Sequence, residues 1–109
     1  MIVSGTNLKM TRGDSECLLV TISGYEVQPG DKLEMTVRPY VGGKVLLHKE
    51  VSDFENNAAN IPIWPEDTQA LNFGTYIYDL QFTFAGGTAV KTIVKPSRFT
   101  VAEEVTYDY

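Results

Sequence analysis

The chain has 109 residues, of which 43% are apolar and 21% charged, with a formal net charge of −5. This composition suits one globular domain with its own core and argues against a disordered chain. Lys and Arg are few and scattered, so no basic face is expected for nucleic acid or for an anionic membrane surface.

Cys17 is the only cysteine and His48 the only histidine, so neither an internal disulfide nor a thiolate zinc site is expected. A single cysteine leans towards a protein that matures in a reducing cytosol. The opening "MIVSGTNLKMTRGD" has neither a basic start nor a long apolar run, and no signal peptide is expected. No apolar stretch approaches the ~20 residues of a spanning helix.

In chain order, "MTRGDSECLLV" comes first and contains Arg12, Gly13 and Asp14, followed by Ser15. Two readings compete. Arg-Gly-Asp is an adhesion motif when a loop presents it. It is also ordinary turn chemistry, in which Gly13 accepts a positive φ and Asp14 and Ser15 bond local N–H groups. The turn is the preferred reading. "ECLLVTI" (Glu16–Ile22) is apolar on both faces and predicts a strand covered on both sides, with Cys17 buried as a small hydrophobe. "SGYEVQPGD" reads as a long loop.

"KLEMTVRPY" alternates, with Leu33, Met35 and Val37 inward and Lys32, Glu34, Thr36 and Arg38 outward. "VGGK" supplies a turn into the strand "KVLLHKEV" (Lys44–Val51), and "DFENNAAN" reads as a loop. "WPEDTQALN" (Trp64–Asn72) is the one helical candidate: Pro65 fits the first helical position, and Glu66 and Asp67 suit the first turn. "TYIYDLQFTF" (Thr75–Phe84) is the clearest strand, with Tyr76, Tyr78, Leu80, Phe82 and Phe84 on one face. "AGGT" is a further Gly-Gly turn. "TAVKTIV" and "RFTVA" read as the last strands, interrupted by Pro96, which predicts an edge strand or a change of sheet. "EEVTYDY" (103–109) is acidic and aromatic and is expected to project as a tail.

About seven short strands with turns between them predict an all-β fold, a β-sandwich with one short helical turn spanning 1–109. Gly74 and Tyr76 sharpen this. In immunoglobulin-type sandwiches a tyrosine stands two residues before the second cysteine and bonds backbone at a corner. Here Tyr76 holds that place and Tyr78 the cysteine's, so the expectation is an immunoglobulin-like fold without its disulfide. The alternative for Tyr76 is a plain core aromatic.

The order of phrases "RGDSECLLVTI", "KLEMTVRP", "IPIWPEDTQALNFGTYIYDLQFTF" and "VKTIVKPSRFTVAEEVT" resembles small proteins of phages and prophages of Gram-positive bacteria. It is similar to the N-terminal immunoglobulin-like domain of upper baseplate proteins, over roughly Met10 to Thr106. The motifs are structural, and their order and spacing make the match. Such baseplate proteins continue into a helical linker and further domains where this sequence stops. What the resemblance implies is therefore a stand-alone virion or assembly protein, made in the bacterial cytoplasm and placed in the tail or baseplate. Its partners would be other virion or phage assembly proteins and further copies of itself, with no nucleic acid and no membrane.

The side chains point away from catalysis. A Ser-His-Asp arrangement would have to use His48, which sits mid-strand. The pairs Asp53/Glu55, Glu66/Asp67 and Glu103/Glu104 read as solvated surface and lack calcium-loop spacing. No Gly-rich phosphate loop occurs, so neither enzyme, metal nor cofactor is expected. The runner-up function is a carbohydrate-binding module for host cell-wall glycans. Trp64 is its first contact candidate, with Tyr25, Tyr40, Tyr107 and Tyr109 as further exposed aromatics.

Overall fold

The computed structural model describes residues 1–87 and 89–103. The expected tail therefore lies outside the described residues except for its exposed first residue, Glu103. Among the described residues the elements are β1 (Ile2–Ser4), β2 (Asn7–Thr11), β3 (Glu16–Thr21), β4 (Lys32–Arg38), β5 (Leu47–Val51), β6 (Ala58–Ile63), α1 (Pro65–Gln69), β7 (Gly74–Thr83) and β8 (Val90–Ala102). Apart from α1 and a short 3-10 turn at Ala85–Gly87, the elements among the described residues are all strands, as the alternating pattern predicts.

The strands form two layers. A six-stranded sheet runs β1-β2-β8-β7-β4-β5, and β3 and β6 form a two-stranded sheet. Pairing is antiparallel except between β2 and β8, where Leu8 to Thr11 run parallel to Phe99 to Ala102. The period-two pattern explains the layering, because alternate residues of a strand leave on opposite faces. Leu33, Met35 and Val37 of β4 are fully buried, while the residues between them are only partly so. They join Leu80 and Tyr78 of β7 and Phe99 and Val101 of β8 in one cluster with Ala59, Ile61 and Ile63 of the facing sheet.

Three expectations are corrected. First, β3 is covered on one face only. Glu16, Leu18 and Val20 are half-buried, whereas Cys17, Leu19 and Thr21 are exposed. An apolar run on both faces mimics a buried strand, but β3 sits in a layer whose outer face meets solvent. Second, residues 58–60 of the supposed loop begin β6, which pairs with β3 from Ala58–Thr21 to Ile63–Glu16. Pro62 is tolerated because β6 has a free side. Third, the supposed last two strands are one. Between the Tyr78–Ser97 and Leu80–Val94 pairs the register shifts, so Lys95 and Pro96 face Asp79 alone across a bulge. The N-terminal residues, to which the sequence pattern assigned no element, form β1 and β2, with Leu8 and Met10 in the core.

α1 closes one end of the sandwich. Its first turn carries Pro65, Glu66 and Asp67. Asp67 Oδ2 accepts the Trp64 backbone N–H at 2.7 Å, and it lies 2.5 Å from Lys49 Nζ. Lys49 shares a strand face with the half-buried Leu47 and Val51, an inward-pointing charge on the edge strand β5. One carboxylate thus starts the helix and neutralises a lysine that would otherwise be stranded at the layer boundary. Asp67→Ala is expected to destabilise the fold by about 1–3 kcal/mol, since both partners lose their acceptor in a mostly buried setting. Urea unfolding at neutral pH measures this. Lys49→Met in the same background should recover part of the loss.

Candidate interaction site

The Arg-Gly-Asp stretch is a turn fastened at both ends. Gly13 has φ +85°, and its N–H donates to Thr68 Oγ1 at 2.9 Å. Thr68 is fully buried on α1. The Arg12 N–H donates to the Ala102 carbonyl at 2.9 Å and the Asp14 N–H to the Thr11 carbonyl at 3.2 Å. The Arg12 guanidinium lies 4.3 Å from the centre of the Phe73 ring, a cation–π distance. Arg12 is half-buried there, while Asp14 is exposed. Each residue of the motif therefore has a local structural task.

Gly74 opens β7 with φ +145°, and the Tyr76 hydroxyl donates to the Asn72 carbonyl at 2.7 Å. The bond ties the start of β7 to the loop after α1. Tyr78 is buried, and its hydroxyl donates to the Thr6 carbonyl in the β1–β2 turn. Burial raises its phenol pKa. Trp64 is 49% exposed at the helix start, directly after β6.

At the other end of the sandwich, Asp31 organises the loops. It is 1% exposed. Its Oδ2 accepts the Gln28 N–H at 2.7 Å and the Tyr25 hydroxyl at 3.0 Å, and its Oδ1 accepts the Ala85 N–H at 2.6 Å. The Gln28 N–H, then the Ala85 N–H and the Tyr25 hydroxyl, hold its carboxyl below the ordinary value of 3.8, against the opposing effect of burial. Burial first, and then Asp31, raises the Tyr25 phenol. The sequence signal for this lock was the Asp that follows Gln28-Pro29-Gly30, and it was not singled out.

Glu34, His48 and Glu50 bring ligand-type atoms within 4.8 Å of one another on the exposed face of β4 and β5. Glu34 and Glu50 are directly opposed across the ladder. Lys32 Nζ lies 3.5 Å from a carboxylate oxygen of each, and His48 Nε2 lies 3.2 Å from Glu34 Oε2. Lys32 thus already supplies the cation that two facing carboxylates need, and the group reads as a cross-strand charge network.

The accessible backbone lies at the sheet edges. Among the described residues, β5 and β1 end the large sheet, and β3 and β6 each leave one side open. β8 is paired on both sides only where β2 runs beside Phe99 to Ala102. Its first half, from Val90 to Pro96, has β7 on one side and no ladder partner on the other among the described residues. Next to this half-edge is an open groove of about 150 Å³ between the layers, lined by Ile22, Tyr25, Phe82, Phe84, Lys91 and Ile93. The rings of Tyr25, Phe82 and Phe84 meet edge to face, with centroids 5.1 to 5.7 Å apart. Neither this groove nor the half-edge was legible beforehand, because both depend on how far β2 runs along β8.

No protein-family model matches the chain, and no curated protein or solved structure matches it.

Proposed function

We propose that the chain is a non-enzymatic structural or interaction component of a phage or prophage particle, placed in the tail or baseplate and held there by protein–protein contacts. The observation that carries this reading is the set of open strand edges around a well-filled core. Free N–H and C=O rows pair readily with another chain, and a rigid two-layer body presents them in fixed geometry. We read the two-sheet arrangement as immunoglobulin-like, the finer fold that the sequence suggests. The Tyr76 hydroxyl bonded four residues back resembles the tyrosine corner of such sandwiches and supports that reading. In a particle built from many copies, individually weak edge contacts add through multivalency. The particle itself is inferred from the sequence resemblance.

The test is proteomic. Particles induced from a strain carrying the gene, purified on a density gradient, should contain this chain in fixed ratio to tail proteins. Its absence from both mature particles and assembly intermediates would refute the assignment. A second reading, recognition of cell-wall glycans, is favoured by the exposure of Trp64. Titration of Trp64 fluorescence with cell-wall polysaccharide distinguishes it: a saturable shift abolished by Trp64→Ala supports glycan binding, and an unchanged spectrum removes it.

A further inference from the structure

The first half of β8, whose side away from β7 has no ladder partner among the described residues, forms with the groove beside it a seat for one added strand. The register of β7 and β8 places Lys91 opposite Phe82, so Lys91 shares the groove face with the aromatic cluster, and the exposed Lys95 follows on the same half-edge. An occupant must therefore be extended, apolar on alternate residues and acidic. The chain contains such a segment. Glu104, Val105, Thr106, Tyr107, Asp108 and Tyr109 alternate polar with apolar residues and carry two acids and no base. We propose that residues 104–109 of one copy add as a strand to the Val90–Lys95 half-edge of a second copy, with Val105, Tyr107 and Tyr109 directed at the groove.

Reach decides that the acceptor is another molecule. β8 runs from Val90 to Ala102, about 40 Å at ~3.3 Å per residue. Residues 104–109, doubling back from Ala102, span about 20 Å at most and reach no further than about Ser97. There the edge is already taken. β2 pairs Phe99 to Ala102, Asn7 Oδ1 accepts the Arg98 N–H at 3.0 Å, and Thr6 Oγ1 lies 2.7 Å from Ser97 Oγ. The segment starts at one end of β8 and its seat lies at the other, so it cannot occupy its own seat. Donor and acceptor are different surfaces of one chain, which makes the contact heterologous. Reciprocal exchange closes a dimer, and one-way exchange extends a ring or filament. Main-chain bonds supply the attachment, while the groove and the two lysines set direction and partner.

The inference stands apart from the particle assignment. A strictly monomeric chain found in particles would sink this inference alone, and self-association by a chain absent from particles would sink the other. The experiment uses the full chain and two double variants. Lys91→Glu with Lys95→Glu spoils the seat, and Tyr107→Ser with Tyr109→Ser spoils the strand. Sedimentation velocity across a concentration series should show wild-type self-association, weakened at least roughly tenfold in each variant. Mixing the two variants should restore association as a one-to-one pair, because each supplies the half the other lacks. Amide shifts in the Tyr-substituted partner, labelled with ¹⁵N, should then move at Val90–Lys95. Unchanged thermal midpoints show that both variants are folded. A monomeric wild type at millimolar concentration, variants that associate as well as wild type, a mixture that fails to pair, or shifts confined to β1, β3 or β5 would each overturn the proposal.

Discussion

Phe99→Ala is expected to cost about 3–5 kcal/mol, the largest loss from any single apolar truncation in this chain. Phe99 is fully buried. It lies at the one place where β8 has a strand on both sides, paired to Leu8 of β2 and Tyr76 of β7. Its ring meets the Tyr78 ring edge to face at 6.4 Å. Removing it opens a cavity that β2, β7 and β8 cannot close together, because the ladders hold their backbones apart. A domain of this size has about 5–15 kcal/mol in total, so the variant should sit near the edge of unfolding. Chemical denaturation gives the measurement. Phe99→Leu, which keeps most of the volume, should lose clearly less, and equal losses for the two would show that the site is not tightly packed.

Asp31→Ala should be the most damaging polar substitution. It leaves the Gln28 and Ala85 N–H groups and the Tyr25 hydroxyl without their shared acceptor. Three donors from separate loop positions lose their common acceptor at once, and the thermal midpoint should fall on the order of 10 °C. The effect has a pH signature with a definite sign. The folded-state pKa of Asp31 is depressed, so its contribution is complete above the ordinary value of 3.8 and is lost as pH falls through the lower folded value. The stability gap between wild type and Asp31→Asn should therefore be constant from neutral pH down to about 4 and narrow below that. A gap that stayed flat into strong acid would mean that the carboxylate charge is not what the three donors hold. Loosening this lock should also loosen the groove, since Tyr25 belongs to both.

How legible the fold was depended on whether a signal was local. The alternation of Leu33, Met35 and Val37, and of Tyr78, Leu80 and Phe82, named the buried faces of β4 and β7 directly, because side-chain period two is a property of one strand. Pro65, with Glu66 and Asp67 behind it, likewise announced a helix start. β6 was hidden because "AANIPI" is short, contains a proline and follows Asn56 and Asn57, whose positive φ values make the turn before it. The exposure of Cys17 and Leu19 was misread for a different reason: a run apolar on both faces says nothing about whether a second layer lies over it.

The sequence by itself determined the strand character of most of the chain, the inward residues of the central strands, the single short helix and the turn at Gly13. All of these rest on interactions within a few residues. Only the tertiary structure decided that β2 runs parallel to the last four residues of β8 and, among the described residues, leaves one side of its first half without a ladder partner, that Asp67 meets Lys49, and that Asp31 gathers donors from separate loops. These contacts join residues far apart in the chain. Their existence depends on how the layers are stacked, which no local pattern encodes.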